Sequence, residues 1–222
     1  MTSAIETGVE FEALYVEESA VAKYRDLLVR AESLGIRVFV LDEGMAERVA
    51  DAATPQPLLA SVRFPISRLE DLSFPGTVLV LHNLRDPGNV GTMIRSAAAF
   101  GASAVVLSGH SVDPYNPKTL RASAGAIFHL PVVVATSFDD VIESARKHES
   151  RVVATVVRGG DPLASTSLSG PVTIVIGSEA DGLTDEEAQR ADVRVTLSMS
   201  GNTESLNAGV AAGIVLYLAQ EA

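Results

Sequence analysis

The sequence predicts an α/β protein: a parallel sheet covered by helices, with a smaller α/β domain ahead of it. Three observations carry this. Runs such as Val78-Leu79-Val80-Leu81 and Val172-Thr173-Ile174-Val175-Ile176 are apolar on both faces, as strands are when helices cover both sides of a parallel sheet. From Thr77 onward, strand and helix patterns alternate regularly. Between the halves, Phe64 to Gly76 carries Pro65, Pro75, Gly76 and mixed charge, and reads as a linker. The predicted division is residues 1–63, a linker at 64–76, and residues 77–222.

In the first part, Glu10 to Val16 reads as a strand. Ala20 to Leu34 is helical, with apolar Val21, Leu27, Leu28, Ala31 and Leu34 at spacings of three and four, and Gly35 ends it. Ile36 to Val40 is a strand, Glu43 to Ala50 a short helix, Thr54 to Pro57 a turn and Leu58 to Val62 a last strand. In the second part, strands are expected at Thr77–Leu81, Ala104–Leu107, Val132–Val134, Arg151–Val157, Val172–Ile176 and Arg194–Leu197. Helices are expected at Val90–Phe100, Lys118–Gly125, Phe138–Lys147, Asp185–Ala191 and Ser205–Gln220.

Composition sets bounds. The chain has 222 residues, 47% hydrophobic and 20% charged, which excludes disorder as a whole. It has no cysteine, which excludes a disulfide scaffold, a thiolate zinc site and a Cys nucleophile. Met1 to Glu10 has no basic, apolar signal pattern, and the apolar stretch Ala208 to Ala219 is too short to span a bilayer. A soluble cytoplasmic protein is expected. Net charge is −11, from 17 basic and 28 acidic residues, which taken alone argues against a nucleic-acid binder. Yet Asn83 to Phe128 is net positive, with Arg85, Arg95, Lys118 and Arg121 against Asp86 and Asp113. His82, His110, His129 and His148 are scattered, form no metal cluster and read as structural.

Three loops after strands carry the chemistry, since ligands on such sheets bind at the strands' C-terminal ends. The first runs from Asn83 through Asp86-Pro87-Gly88-Asn89 to Gly91 and Arg95, with Asn89 a natural N-cap and Gly91 permitting close approach. It is neither a P-loop nor a dinucleotide fingerprint. The second is Ile176-Gly177-Ser178-Glu179-Ala180-Asp181-Gly182-Leu183, whose backbone groups can hold a polar cofactor. The third runs from Leu197 and Met199 through Gly201 to Ser205-Leu206-Asn207, opening a helix rich in Gly and Ala. There Ser205 reads as N-cap, and the small residues fit a tight core, a knot or a subunit interface.

In order and spacing, Asn83-x-x-Asp86-Pro87-x-Asn89-x-Gly91-x-x-x-Arg95, Ile176-Gly177-x-Glu179-x-x-Gly182-Leu183 and Ser198-Met199-x-Gly201-x-x-x-Ser205-Leu206-Asn207 resemble the three motifs of the SpoU/TrmH-type RNA ribose 2′-O-methyltransferases. The resemblance covers Thr77 to Ala222. Asp113 to Lys118 and Arg121 to Ala126 resemble the rRNA-modifying branch. The first part, with Thr54-Pro55-Gln56, is similar to that branch's small ribosomal-protein-like RNA-binding domain, but shorter, without a basic segment ahead of Met1.

The resemblance implies a C-terminal trefoil knot, which ordinary topology rules would not produce. It also implies a homodimer with shared active sites, S-adenosylmethionine as cofactor, no metal, and 23S ribosomal RNA as the expected substrate. Arg95 would stabilise charge on the reacting oxygen, because an Arg is too weak an acid to serve readily as base. Asn83 would position the ribose or Arg95. Glu179 would order the second loop or take the proton through water. Ile176, Gly177, Ser178, Leu197, Met199, Gly201 and Leu206 would frame the cofactor, with Ser205 and Asn207 at its methionine end. Arg85, Asn89, Arg95, Lys118 and Arg121 would contact RNA. A tRNA target, a non-catalytic RNA-binding protein on the same fold, and a small-molecule α/β hydrolase are the alternatives. The absence of a phosphate-loop lysine and of a nucleophile elbow weighs against the last.

Overall fold

A computed structural model of the chain describes residues 1–49, 56–64, 66–135, 137–200 and 205–220. It divides into two compact units, Met1–Pro65 and Ile66–Ala222.

The first unit comprises α1 (Thr2–Glu6), β1 (Glu10–Glu17), α2 (Arg25–Ser33), β2 (Val38–Leu41), α3 (Met45–Val49) and β3 (Leu58–Arg63). Strand β1 is central, parallel to β2 and antiparallel to β3. Its inward residues Leu14 and Val16 are fully buried, and α2 sets Leu28 and Ala31 into the same core. The helix expected from Ala20 is a 3-10 turn at Glu18–Ala20 followed by α2 from Arg25. Gly35, at φ 76°, ends α2: its N–H donates to Glu32 O and that of Ile36 to Ala31 O. Thr54 and Pro55 of the expected turn lie outside the described residues.

The second unit contains β4 (Thr77–His82), α4 (Pro87–Ala99), β5 (Ala104–Ser108), α5 (Pro117–Ala122), β6 (Val132–Val134), α6 (Phe138–Lys147), β7 (Arg151–Thr155), β8 (Asp161–Pro162), β9 (Val172–Ile176), α7 (Asp185–Gln189), β10 (Val193–Thr196) and α8 (Ala208–Gln220). Its strands form one parallel sheet in the order β6-β5-β4-β9-β7-β10-β8. Strands β4, β5 and β9 are buried along nearly their whole length, as their unbroken apolar runs predict. The order has a consequence for the C-terminal half. Strand β9 enters between β4 and β7, and β10 between β7 and β8, although all three flanking strands precede their insert in sequence.

Of the stretch 64–76 expected to be a linker, the residues from Ile66 pack within this unit. Ser67 bridges in parallel to Val133, Leu69 and Leu72 lie against the core, and Phe74 is 1% exposed and stacked on His148. Pro75 and Gly76, the latter at φ 64°, bend the chain ahead of β4. Among the described residues, no helix is long and apolar enough to cross a membrane.

Candidate active site

The first loop begins where β4 ends. Asn83 takes a left-handed backbone, φ 59°, which Asn tolerates better than most residues. Its N–H donates to Ser108 O, and its Oδ1 accepts the N–H of His110 at 2.8 Å. Helix α4 then starts three residues earlier than expected. Asp86 is its N-cap, accepting the Asn89 N–H at 2.8 Å, and Pro87 holds the first helical position with a pre-set φ. Asn89 is therefore not the cap, and its side chain is free for longer contacts.

Those contacts join all three loops. Asn89 Nδ2 donates to Glu179 Oε1 at 3.0 Å, and Asn89 Oδ1 accepts from Asn207 Nδ2 at 3.0 Å. Asn207, and not Ser205, caps α8: its Oδ1 accepts the N–H groups of Gly209 (2.9 Å) and Val210 (3.2 Å). So Asn207 sits at the junction of α4 and α8, with its amide engaged on both ends.

The second loop folds back tightly on the end of β9. Ser178 and Gly182 exchange backbone hydrogen bonds at 3.2 and 3.0 Å, and Gly182 has φ 70°. A Cβ on Gly177 would lie 2.4 Å from the Gly182 carbonyl carbon, so only glycine fits this closure. Helix α7 follows under a reciprocal capping box between Thr184 and Glu187. Burial pushes the Glu187 carboxyl up, but the Thr184 backbone N–H and the His82 and Thr184 side chains outweigh it and hold the group below the usual carboxylate range.

The second and third loops, with the chain leaving β7 and the start of α8, enclose a cleft of about 370 Å³, within the range of small-molecule sites. Of the expected cofactor residues, Ile176, Gly177, Ser178, Leu197, Met199, Ser205 and Leu206 line it, and so does Glu179. Asn207 stands beside it, and Gly201 lies outside the described residues. Sequence reasoning missed one wall, Thr155 to Arg158, by extending the strand through Val157. The available signal was position, since this segment leaves the C-terminal end of a parallel strand like the other loops.

The basic residues lie on α4, α5 and the loop ahead of α4. Arg85, Arg95 and Arg121 are exposed, and among the described residues none has an ion-pair partner. Lys118 approaches Asp86 at 3.7 Å, an exposed pair worth roughly 0–1 kcal/mol. Gly91 lets α4 and α5 close on each other, since a Cβ there would meet Ala122 Cβ and Thr119 O at 2.5 Å. Asn116 caps α5, which ends at Ala122, short of the expected Gly125. Among the described residues no cluster of His, Cys, Asp or Glu could hold a metal ion.

A parallel sheet with a half-apolar cleft at the carboxyl ends of its strands defines an α/β protein with a built small-molecule site. Residues 76–217 match the SpoU rRNA Methylase family, and the chain belongs to that family. It is 32% identical over 200 residues to the 23S rRNA (guanosine(2553)-2′-O)-methyltransferase RlmP of Bacillus subtilis, covering 87% of this chain and 79% of that one. Against three longer relatives it spans 52–54% of their length. The AdoMet-bound rRNA methyltransferase from Sinorhizobium meliloti superposes with a TM-score of 0.87 at 29% identity, covering 99% of this chain and 83% of that one. The SpoU methyltransferase AviRb from Streptomyces viridochromogenes, in complex with AdoMet, gives 0.85 at 28% identity, covering 99% and 86%.

Proposed function

We propose that this chain transfers the methyl group of S-adenosylmethionine to a ribose 2′-hydroxyl of large-subunit ribosomal RNA, in the cytoplasm. One observation carries the reading: the cleft at the ends of β7, β9 and β10 is tied through Glu179, Asn89 and Asn207 to the helix that presents Arg95. The names of its relatives agree, since RlmP is a 23S rRNA 2′-O-methyltransferase and the S. meliloti and AviRb structures hold AdoMet.

The residues present suit that cofactor. Ile176, Leu197, Met199 and Leu206 offer apolar surface to a purine and a methionine chain, and the Gly177–Ser178 backbone offers polar groups. Glu179 and Asp181 bring negative charge to a cleft that must accept a sulfonium and an ammonium. S-adenosylmethionine supplies a methyl group already activated on sulfur. The chain's task is therefore to align the ribose oxygen, a term worth up to ~7–11 kcal/mol, and to stabilise the charge that develops there. Arg95 acts as a fixed cation beside that oxygen. Asn83 orients the ribose; as the methyl carbon leaves sulfur for oxygen, the hydroxyl proton passes through water to Glu179, which also holds the second loop through Asn89. Arg85, Lys118 and Arg121 meet RNA phosphates.

The active form is a homodimer with a trefoil knot at the C-terminus of each chain. The dimer is supported by the exposed apolar stripe Val210, Ile214 and Tyr217 along α8. The knot is supported by the insertion of β9 and β10 between earlier strands and by the packing of α8 back on α4.

Mapping of ribose methylation on rRNA and tRNA, from cells with and without the gene, tests the substrate. Loss of one methyl from 23S rRNA is expected, and loss from a tRNA alone would replace the target. In purified protein, Arg95→Ala should lower methyl transfer about 100-fold or more while S-adenosylmethionine still binds by calorimetry. Normal turnover by that variant would remove Arg95 from the reaction.

A further inference from the structure

Beneath Asn83 a part-buried polar chain joins the first loop to the helix that follows the second. His82 is 4% exposed at the end of β4. Its Nδ1 lies 2.9 Å from Ser108 Oγ and its Nε2 2.8 Å from Glu187 Oε1, with the ring tilted against Phe138 at a centroid distance of 4.5 Å. The same Nε2 lies 2.8 Å from Asn83 Nδ2. Gly109 makes the room, since a Cβ there would sit 2.4 Å from Asn83 Oδ1 and 2.9 Å from His82 Cε1.

One ring nitrogen cannot serve both neighbours: with a proton it donates, without one it accepts. The Asn83 amide is oriented from its other side, where Oδ1 accepts the His110 N–H, so the NH₂ group faces the ring. The Glu187 carboxylate accepts the Thr184 backbone N–H at 2.8 Å in its capping box, and a carboxylate only accepts. Nε2 therefore keeps the proton and donates it in a hydrogen bond to Glu187 Oε1. The hydrogens of Asn83 Nδ2 are then denied the ring as acceptor.

We propose that His82 and Glu187 are positioning residues for methyl transfer: by directing the Nε2 proton to Glu187 they keep the Asn83 amide available to donate to a ribose-phosphate oxygen of the RNA. The proposal rests on the reading of Asn83 as a ribose-facing group. It also ties that group to α7, which follows directly on the cofactor loop.

Nitrogen-15 correlation through the imidazole couplings reports the His82 tautomer in the intact protein. A proton on Nε2 is expected, and a ring protonated on Nδ1 alone would overturn the proposal. Single-turnover transfer to a 23S rRNA transcript is the second measurement. Glu187→Gln should slow it about 10–100-fold while the S-adenosylmethionine Kd moves less than about twofold. In an Asn83→Ala background the same change should add nothing, because its route to the reaction is already gone. Additive losses, or a loss confined to cofactor affinity, would overturn the proposal. Should Glu187→Gln not fold, the wild-type tautomer still decides. A wild-type protein with the Nε2 proton that leaves the transcript unmethylated supports the hydrogen-bond assignment and refutes the substrate, so the two failures are told apart.

Discussion

Asn89 uses both ends of its amide, giving a hydrogen bond to Glu179 and taking one from Asn207. It can do so because Asp86 already caps α4 through the Asn89 backbone N–H. The side chain thus links the edge of the cleft to the N-terminus of α8, across residues that are 90 and 118 positions away in sequence. Each such bond is worth about 0.5–1.5 kcal/mol net, so its loss is felt in whatever the two loops do together. Asn89→Ala should weaken S-adenosylmethionine binding about tenfold, as measured by calorimetry, with the fold retained. An unchanged Kd would show that the two loops hold their positions without it.

At the scale of the element, α8 is divided lengthwise. One side carries Gly209 and Ala212 and meets α4, where Thr92 is the nearest side chain across from Gly209. The other side exposes Val210, Ile214 and Tyr217 at 53%, 38% and 46%, spaced four and three residues apart. That spacing makes one continuous stripe on a helix, and Tyr217 sits edge-on to Phe100 at 5.8 Å. A stripe of this kind beside a helix that carries a proposed catalytic arginine fits a second copy of the chain. Ile214→Asp is expected to convert a dimer to a monomer in analytical sedimentation at micromolar concentration. A monomeric wild-type protein would refute the shared site outright.

The whole molecule is acidic, with a formal charge of −11, yet Arg85, Arg95 and Arg121, on α4, α5 and the loop ahead of α4, are exposed and without an ion-pair partner among the described residues. Charge distribution, more than its total, decides where a polyanion is met. The acid limb of stability follows from three carboxylates. Burial raises Glu187, but its hydrogen bonds outweigh that; the Ser61 hydroxyl and then the Arg63 charge lower Glu12, and the Ser19 N–H and hydroxyl lower Glu43. All three fall below their unfolded values, so their contribution is complete above the ordinary carboxylate pKa of about 4.3 and is lost as pH falls through the lower folded values. The Tm should therefore be flat from pH 7 to about 5 and drop below about 4. Glu12 and Glu43 lie in the first unit and Glu187 in the second, so both units are expected to show the drop. A Tm that rises on acidification would contradict these shifts.

Local pattern was enough for much of this protein. Apolar runs marked β4, β5 and β9 as covered on both faces, Gly35 marked the end of α2, and the three polar loops were visible with their order and spacing. Most of the cleft lining was expected from the resemblance of those loops to the family's motifs, and their place at the carboxyl ends of parallel strands is where such a sheet binds its ligands. Capping was legible only in kind: a polar residue was expected at the start of α4 and of α8, but Asp86 and Asn207 fill those places instead of Asn89 and Ser205. What sequence periodicity cannot state is which strands are neighbours. The insertion of β9 and β10, the Thr155–Arg158 wall, and the pairing of His82 with Glu187 at a separation of 105 residues all follow from that choice. Periodicity reports which side of an element meets apolar surroundings, whereas partners distant in the chain are selected only when the whole sheet closes and every buried polar group must find one.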